Sequence, residues 1–179
     1  MANEKMRELI LYICARSEED PRFGATKLNK ILFYSDFLAY QRLGESITGD
    51  QYQKLENGPA PRHLVPIRDK MEQKQELVVR KREYHGFVQN QTVALRMADL
   101  SDFTGEQIAI VDEVIKALWK KSAKDVSEMS HHFAGWQLAN LREDIPYAIA
   151  LVAFPEEFSD TATSWLESLL GIAKERIAA

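Results

Sequence analysis

A mainly α fold of the α+β kind, in a single domain, is predicted by three observations. Most of the chain carries apolar residues at helical spacing. Two stretches, Leu77–Glu83 and Phe87–Arg96, are instead rich in β-branched and aromatic residues and flank Tyr84-His85-Gly86, the signature of a β-hairpin. No linker long enough to separate two domains interrupts the 179 residues, a length suited to one core.

The first helix is read over Lys5–Ser17, with Met6, Leu9, Ile10, Ile13 and Cys14 on one face, and Asp20-Pro21 stops it because proline cannot continue the hydrogen-bond ladder. Thr26 is the expected N-cap of a second helix that Gly44 ends. Leu28, Ile31, Leu32, Ser35, Leu38 and Ala39 form one stripe on it, and Asn29, Phe33, Asp36 and Tyr40 form another. A helix apolar over so much of its circumference belongs in the core. Tyr52–Leu55 alternates as a short strand should, and Asn57-Gly58-Pro59 forces a turn. A third helix is expected from Pro61 or Arg62 to Gln75, with Leu64, Ile67 and Met71 inward and Pro66 tolerable only in the first turn. The hairpin then turns near Gly86 or Asn90. Thr104 and Gln107 form a capping box ahead of Ile108, Val111, Val114, Ile115 and Leu118. Ser122 caps a short helix bearing Val126 and Met129. Asp144-Ile145-Pro146-Tyr147 opens another helical stretch that Pro155 closes, and a last helix starts at Asp160 or Thr161 within a C-terminal extension, 152–179.

Composition narrows the function. The formal charge of −4 gives no general attraction to nucleic acid or anionic lipid. A lone cysteine forms no internal disulfide and suits a reducing cytoplasm, while the polar N-terminus and short apolar runs predict neither a signal peptide nor a membrane span. Catalytic patterns are missing: no phosphate-binding Gly-rich loop, no Gly-x-Ser-x-Gly and no His-Glu-x-x-His. His131-His132 are adjacent, so on a helix they point about 100° apart and do not chelate one ion. Neither an enzyme, a cofactor nor a metal site is expected. Asp36, among Phe33, Phe37 and Tyr40, needs a partner if buried: either a backbone N–H of the Gly58 turn or Lys30, or else it serves as a polar anchor at the mouth of a binding groove. Lys74–Arg82 (KQELVVRKR) is the one concentrated basic stretch. It reads as a charged edge strand guarded against further pairing, with a DNA-binding wing as the less favoured alternative.

Lys27-Leu28-Asn29-Lys30-Ile31-Leu32-Phe33-Tyr34, followed by Gly44, Ile47, Tyr52 and Glu56-Asn57-Gly58-Pro59, resembles the opening of the Panacea domain, the SocA-like antitoxin domain. Ala60 stands where that family typically has Val. Ile110–Val114, Ser122–His131, Gly135-Trp136 and Ile145-Pro146-Tyr147 continue the likeness, which spans about Lys5 to Leu151. The resemblance implies a mostly helical antitoxin that binds and neutralises a toxin encoded nearby, with no catalytic residues, and in one variant hands that toxin to a cytoplasmic protease. A DNA-binding regulator and a prophage accessory protein are the alternatives. The expected binding surface is the exposed edge of the second helix with the turn that follows: Lys30, Tyr34, Asp36, Glu56, Asn57, Gly58 and Pro59.

Overall fold

Helix α2, Ala25–Leu43, runs through the middle of the molecule, and the computed structural model describes residues 2–84 and 86–153 around it. Apart from Asn29, every residue of α2 from Lys27 to Ala39 is buried. The doubled apolar stripe has this cause, since between Lys27 and Ala39 only Asn29 is partly left to water. Burying each of Leu32, Phe33, Phe37 and Leu38 contributes about 2 kcal/mol. Gly44 ends the helix at φ +80°, its N–H bonded to the Tyr40 carbonyl at 3.0 Å. At the other end the N-cap is Gly24, not Thr26, which lies in the first turn.

Around α2 pack α1 (Ala2–Arg16), α3 (Leu64–Gln73), α4 (Gly105–Leu118), α5 (Ala123–His131), α6 (Ala134–Leu138) and a 3-10 turn, Tyr147–Ile149, that continues into α7 (Ala150–Ala153). One hydrophobic cluster joins Leu9, Ile10 and Ile13 of α1, the apolar face of α2, and Val111, Val114 and Leu118 of α4. Both capping signals operate: Thr104 with Gln107 opens α4, and Ser122 with Asp125 opens α5. Helix α3 starts at Leu64, the late start that Pro66 calls for, and ends at Gln73. Pro66 falls in its first turn, where its missing N–H costs nothing.

Two antiparallel sheets complete the α+β fold. β3 (Leu77–Tyr84) and β4 (Phe87–Ala94) form the hairpin, pairing Leu77 with Ala94 and Tyr84 with Phe87, so the turn lies at Gly86 and not at Asn90. Arg80, Lys81 and Arg82 are exposed on it. The other sheet has the order β2-β1-β5, from β2 (Gly58–Pro61), β1 (Tyr52–Leu55) and β5 (Asp144–Ile145). Gly58-Pro59 therefore belongs to a strand, with Glu56-Asn57 as the turn before it. Asp144-Ile145 is also strand and does not open a helix: it pairs with Gln53 and Tyr52, and the 3-10 turn begins only after Pro146. The expected stop at Pro155 and the last helix lie outside the described residues. Among those residues, no helix is long and apolar enough to cross a membrane.

Candidate functional site

Asp36 shows what the sheet does for α2. Its carboxylate is fully buried, and it accepts bonds from the Thr48 backbone N–H at 2.8 Å, the Thr48 hydroxyl and the Tyr52 hydroxyl at 2.8 Å. Neither the Gly58 turn nor Lys30 supplies its partners, contrary to the sequence expectation. The loop between α2 and β1 folds back over the carboxylate instead. Burial raises the Asp36 pKa, and the three donors oppose that rise. Tyr147 donates to the Asp50 carbonyl at 2.6 Å and stacks on Tyr40 with ring centroids 5.5 Å apart. Its ring also meets those of Phe37 and Tyr52, so the stretch after β5 is fastened to α2 through aromatic contacts. This cluster is structural. Asp36 is no anchor at a groove mouth.

Tyr34 is likewise buried, and burial pushes its phenol well above the usual range. Both residues are therefore placed inside the molecule and not on the exposed edge of α2 expected from sequence. Pro59 is buried too.

Lys30 is buried to 1% exposure and donates to the Pro59 carbonyl at 2.9 Å. Among the described residues no carboxylate pairs with it, and desolvation pushes its pKa down to about 7. Lys27, one turn earlier, is also buried but has a counter-charge, Asp20 at 2.7 Å. Gly58 makes the close approach of β2 to α2 possible. It adopts φ +101°, and a Cβ there would meet Ser130 Oγ and, at 2.8 Å, Lys30 Nζ.

Lys30, Glu56, Asn57 and Gly58 do converge on one feature, an open groove of about 430 Å³. The start of α2 contributes Ala25, Thr26, Asn29 and Lys30. Leu55 and the turn contribute next to it, α3 supplies Leu64, Val65 and Arg68, and the loop before β5 supplies Leu141 and Arg142. That loop is tied down firmly. Arg142 N–H donates to the Lys54 carbonyl at 2.8 Å, and Arg62 bonds both Asp144 at 2.6 Å and the Arg142 carbonyl at 3.0 Å. Arg142 itself sits at φ +68°, a conformation unusual for a residue with a Cβ. Behind the turn, Trp136 donates to the Leu55 carbonyl at 2.8 Å, stacks on His131 at 4.1 Å, and carries the Lys54 ammonium 4.4 Å above its ring.

Polar and apolar side chains both line the groove. Asn29 Oδ1 and Arg68 Nε are buried without a hydrogen-bond partner, while Val65 and Leu141 are 54% and 56% exposed. Sequence reasoning missed Val65, Arg68, Leu141 and Arg142. The available signal was an apolar–cation pair, Leu141-Arg142, in an otherwise polar connection, with Val65 and Arg68 repeating that pairing at helical spacing on α3. Chemically, such a surface can take up a polypeptide segment through both charge and apolar contact.

No curated protein and no solved structure matches the chain. A family model does, described as antitoxin SocA-like, Panacea domain, over residues 28–137. That range holds α2 from Leu28 onward, both strands of the β1–β2 hairpin, α3, the β3–β4 hairpin, α4, α5 and all but the last residue of α6, and within it lie most of the groove-lining residues. It covers well over half of the 179 residues, and the chain belongs to the SocA-like antitoxin family of Panacea domains.

Proposed function

We propose that this chain is an antitoxin that neutralises a protein toxin by direct, non-catalytic binding, and that the groove between α2, α3 and the Glu56-Asn57 turn is where the toxin docks. Family membership supports the antitoxin role. The observation that carries the choice of surface is the convergence of Glu56, Asn57, Val65, Leu141 and Arg142, all exposed, around one open cleft. Apolar side chains presented to water beside charged ones are a feature of recognition surfaces, where a buried centre is ringed by polar contacts. Tyr34, Asp36 and Pro59 act in this reading as the support beneath the surface.

Co-expression with the product of the adjacent gene tests the proposal. Growth should be restored by the wild-type chain and lost with Val65→Asp or Leu141→Asp, substitutions of exposed residues that leave the fold intact. Rescue by both variants would remove the groove from the mechanism. Absence of any toxic neighbour relieved by the wild-type chain would remove the antitoxin role itself. An adaptor form of the same function, in which the toxin passes to a protease, is distinguished by the toxin's half-life: it shortens in the presence of this chain only if delivery occurs.

A further inference from the structure

We propose that the groove selects a toxin segment that presents a carboxylate beside a branched apolar side chain, the carboxylate meeting Arg68 and Arg142 and the apolar group lying against Val65 and Leu141. This rests on the docking reading above and assigns the chemistry of its occupant.

Charge is the first argument. The chain as a whole is acidic at −4, yet the groove sets the guanidinium groups of Arg68 and Arg142 against the single carboxylate of Glu56, with the amine of Lys30 buried beneath. None of these cations is well paired internally. Arg68 reaches Asp69 only at 3.5 Å, and neither Arg142 nor Lys30 has an ion pair among the described residues. A guanidinium has five N–H donors in a planar fork matched to a carboxylate, so an under-used Arg at a cleft is a ready receptor for one.

Hydrogen bonding gives the second argument. Arg68 Nε is buried with no acceptor, and Asn29 Oδ1 is buried with no donor. Unsatisfied groups of this kind cost about 1–3 kcal/mol each. Neither atom is open to solvent, and an incoming segment meets instead the partly exposed guanidinium end of Arg68, whose Nη2 lies 3.5 Å from Asp69, and the half-buried side chain of Asn29. A phosphate offers no donor in its ionised form, and the net negative charge of the chain opposes the approach of a nucleic-acid backbone. Exposed Val65 and Leu141 supply apolar walls that a polyanion cannot use. The volume, about 430 Å³, is that of a small ligand cleft and admits a short segment rather than a helix face.

The test uses the full chain and a displayed random dodecapeptide library. Enriched peptides should carry Asp or Glu next to Leu, Ile or Val. A fluorescein-labelled winner, followed by anisotropy, should bind about tenfold more weakly to Arg68→Gln and to Arg142→Gln, the loss expected for one charged hydrogen-bonding partner. Replacing the peptide's own Glu by Gln should weaken wild-type binding to the same degree. Thermal unfolding of both variants serves as the folding control, and Arg68→Lys, which keeps charge but not the fork, should fall between. An empty selection, enrichment of basic peptides, equal binding by the Gln variants, or displacement of the peptide by a duplex oligonucleotide would each overturn the assignment. Rescue of growth by the wild-type chain alongside any of those results would sink the groove chemistry and leave the antitoxin role standing.

Discussion

Replacing Gly58 by Ala should destabilise the protein by about 4 kcal/mol, and the sum can be built from contacts. The residue holds φ +101°, where a side chain costs about 1–2 kcal/mol. Its new Cβ would lie well inside contact with Ser130 Oγ and 2.8 Å from Lys30 Nζ. Moving Ser130 breaks its bond to the Ser127 carbonyl at 2.7 Å, worth about 1 kcal/mol. Moving Lys30 weakens the charged bond to the Pro59 carbonyl, a further 1.5–3 kcal/mol or so. Urea unfolding measures the result: with a slope of about 2 kcal/mol per M, the midpoint should fall by about 2 M. Placing the substitution in a Ser130→Ala background removes one clashing atom and should recover roughly 1 kcal/mol. A midpoint shift under about 0.5 M for Gly58→Ala alone would show that β2 does not press on α2 as described.

Lys30 makes stability depend on pH. Its folded pKa of about 7 lies below the ordinary value of 10.5, so between those limits the unfolded chain holds a proton that the folded one has released, and stability rises with pH. From pH 7 to 9 the gain should reach about 2 kcal/mol. Lys30→Met should flatten that slope, as read from urea midpoints at pH 7, 8 and 9, and an unchanged slope would refute the assignment. Asp36→Ala should cost about 4 kcal/mol, because the Thr48 N–H, the Thr48 hydroxyl and the Tyr52 hydroxyl lose their acceptor together. Asp36→Asn, which keeps one acceptor, should cost about 1–2 kcal/mol. The raised pKa of Asp36 means that its favourable contribution is complete below the ordinary value of 3.8 and declines as pH climbs through the folded pKa. The gap in thermal unfolding between the wild-type chain and Asp36→Asn should therefore narrow toward neutral pH.

Elements governed by neighbours in sequence were legible before the structure. Gly44 stops α2 and Thr104 opens α4 as expected, because capping is settled within one turn of helix. The β3–β4 hairpin was legible for the same reason. Side chains whose partners come from elsewhere were not. Lysine is rarely buried, so nothing local announces that Lys30 lies under β2. The partners of Asp36 come from the loop after its own helix, and periodicity does not tell which way that loop folds. β5 is Asp144–Ile145 alone, too short to show alternation, and Pro146 beside it mimics a helix start. Of the proposed surface, the turn residues Glu56 and Asn57 were legible from the Asn-Gly signal. The opposite wall, Val65, Arg68, Leu141 and Arg142, depends on how α3 and a distant loop are brought alongside.

The pairing of Tyr52 with Ile145 sets a boundary for anyone wishing to trim the protein. A fragment cut to the family-matched block, 28–137, would keep the recognisable motifs but discard the strand that covers one flank of Tyr52 and the loop carrying Leu141 and Arg142. It would also lose α1, whose Leu9, Ile10 and Ile13 seal the other side of the interior. The stretch that identifies the family is thus smaller than the unit that holds its shape, and a minimal version for grafting onto another scaffold has to reach from α1 through Tyr147.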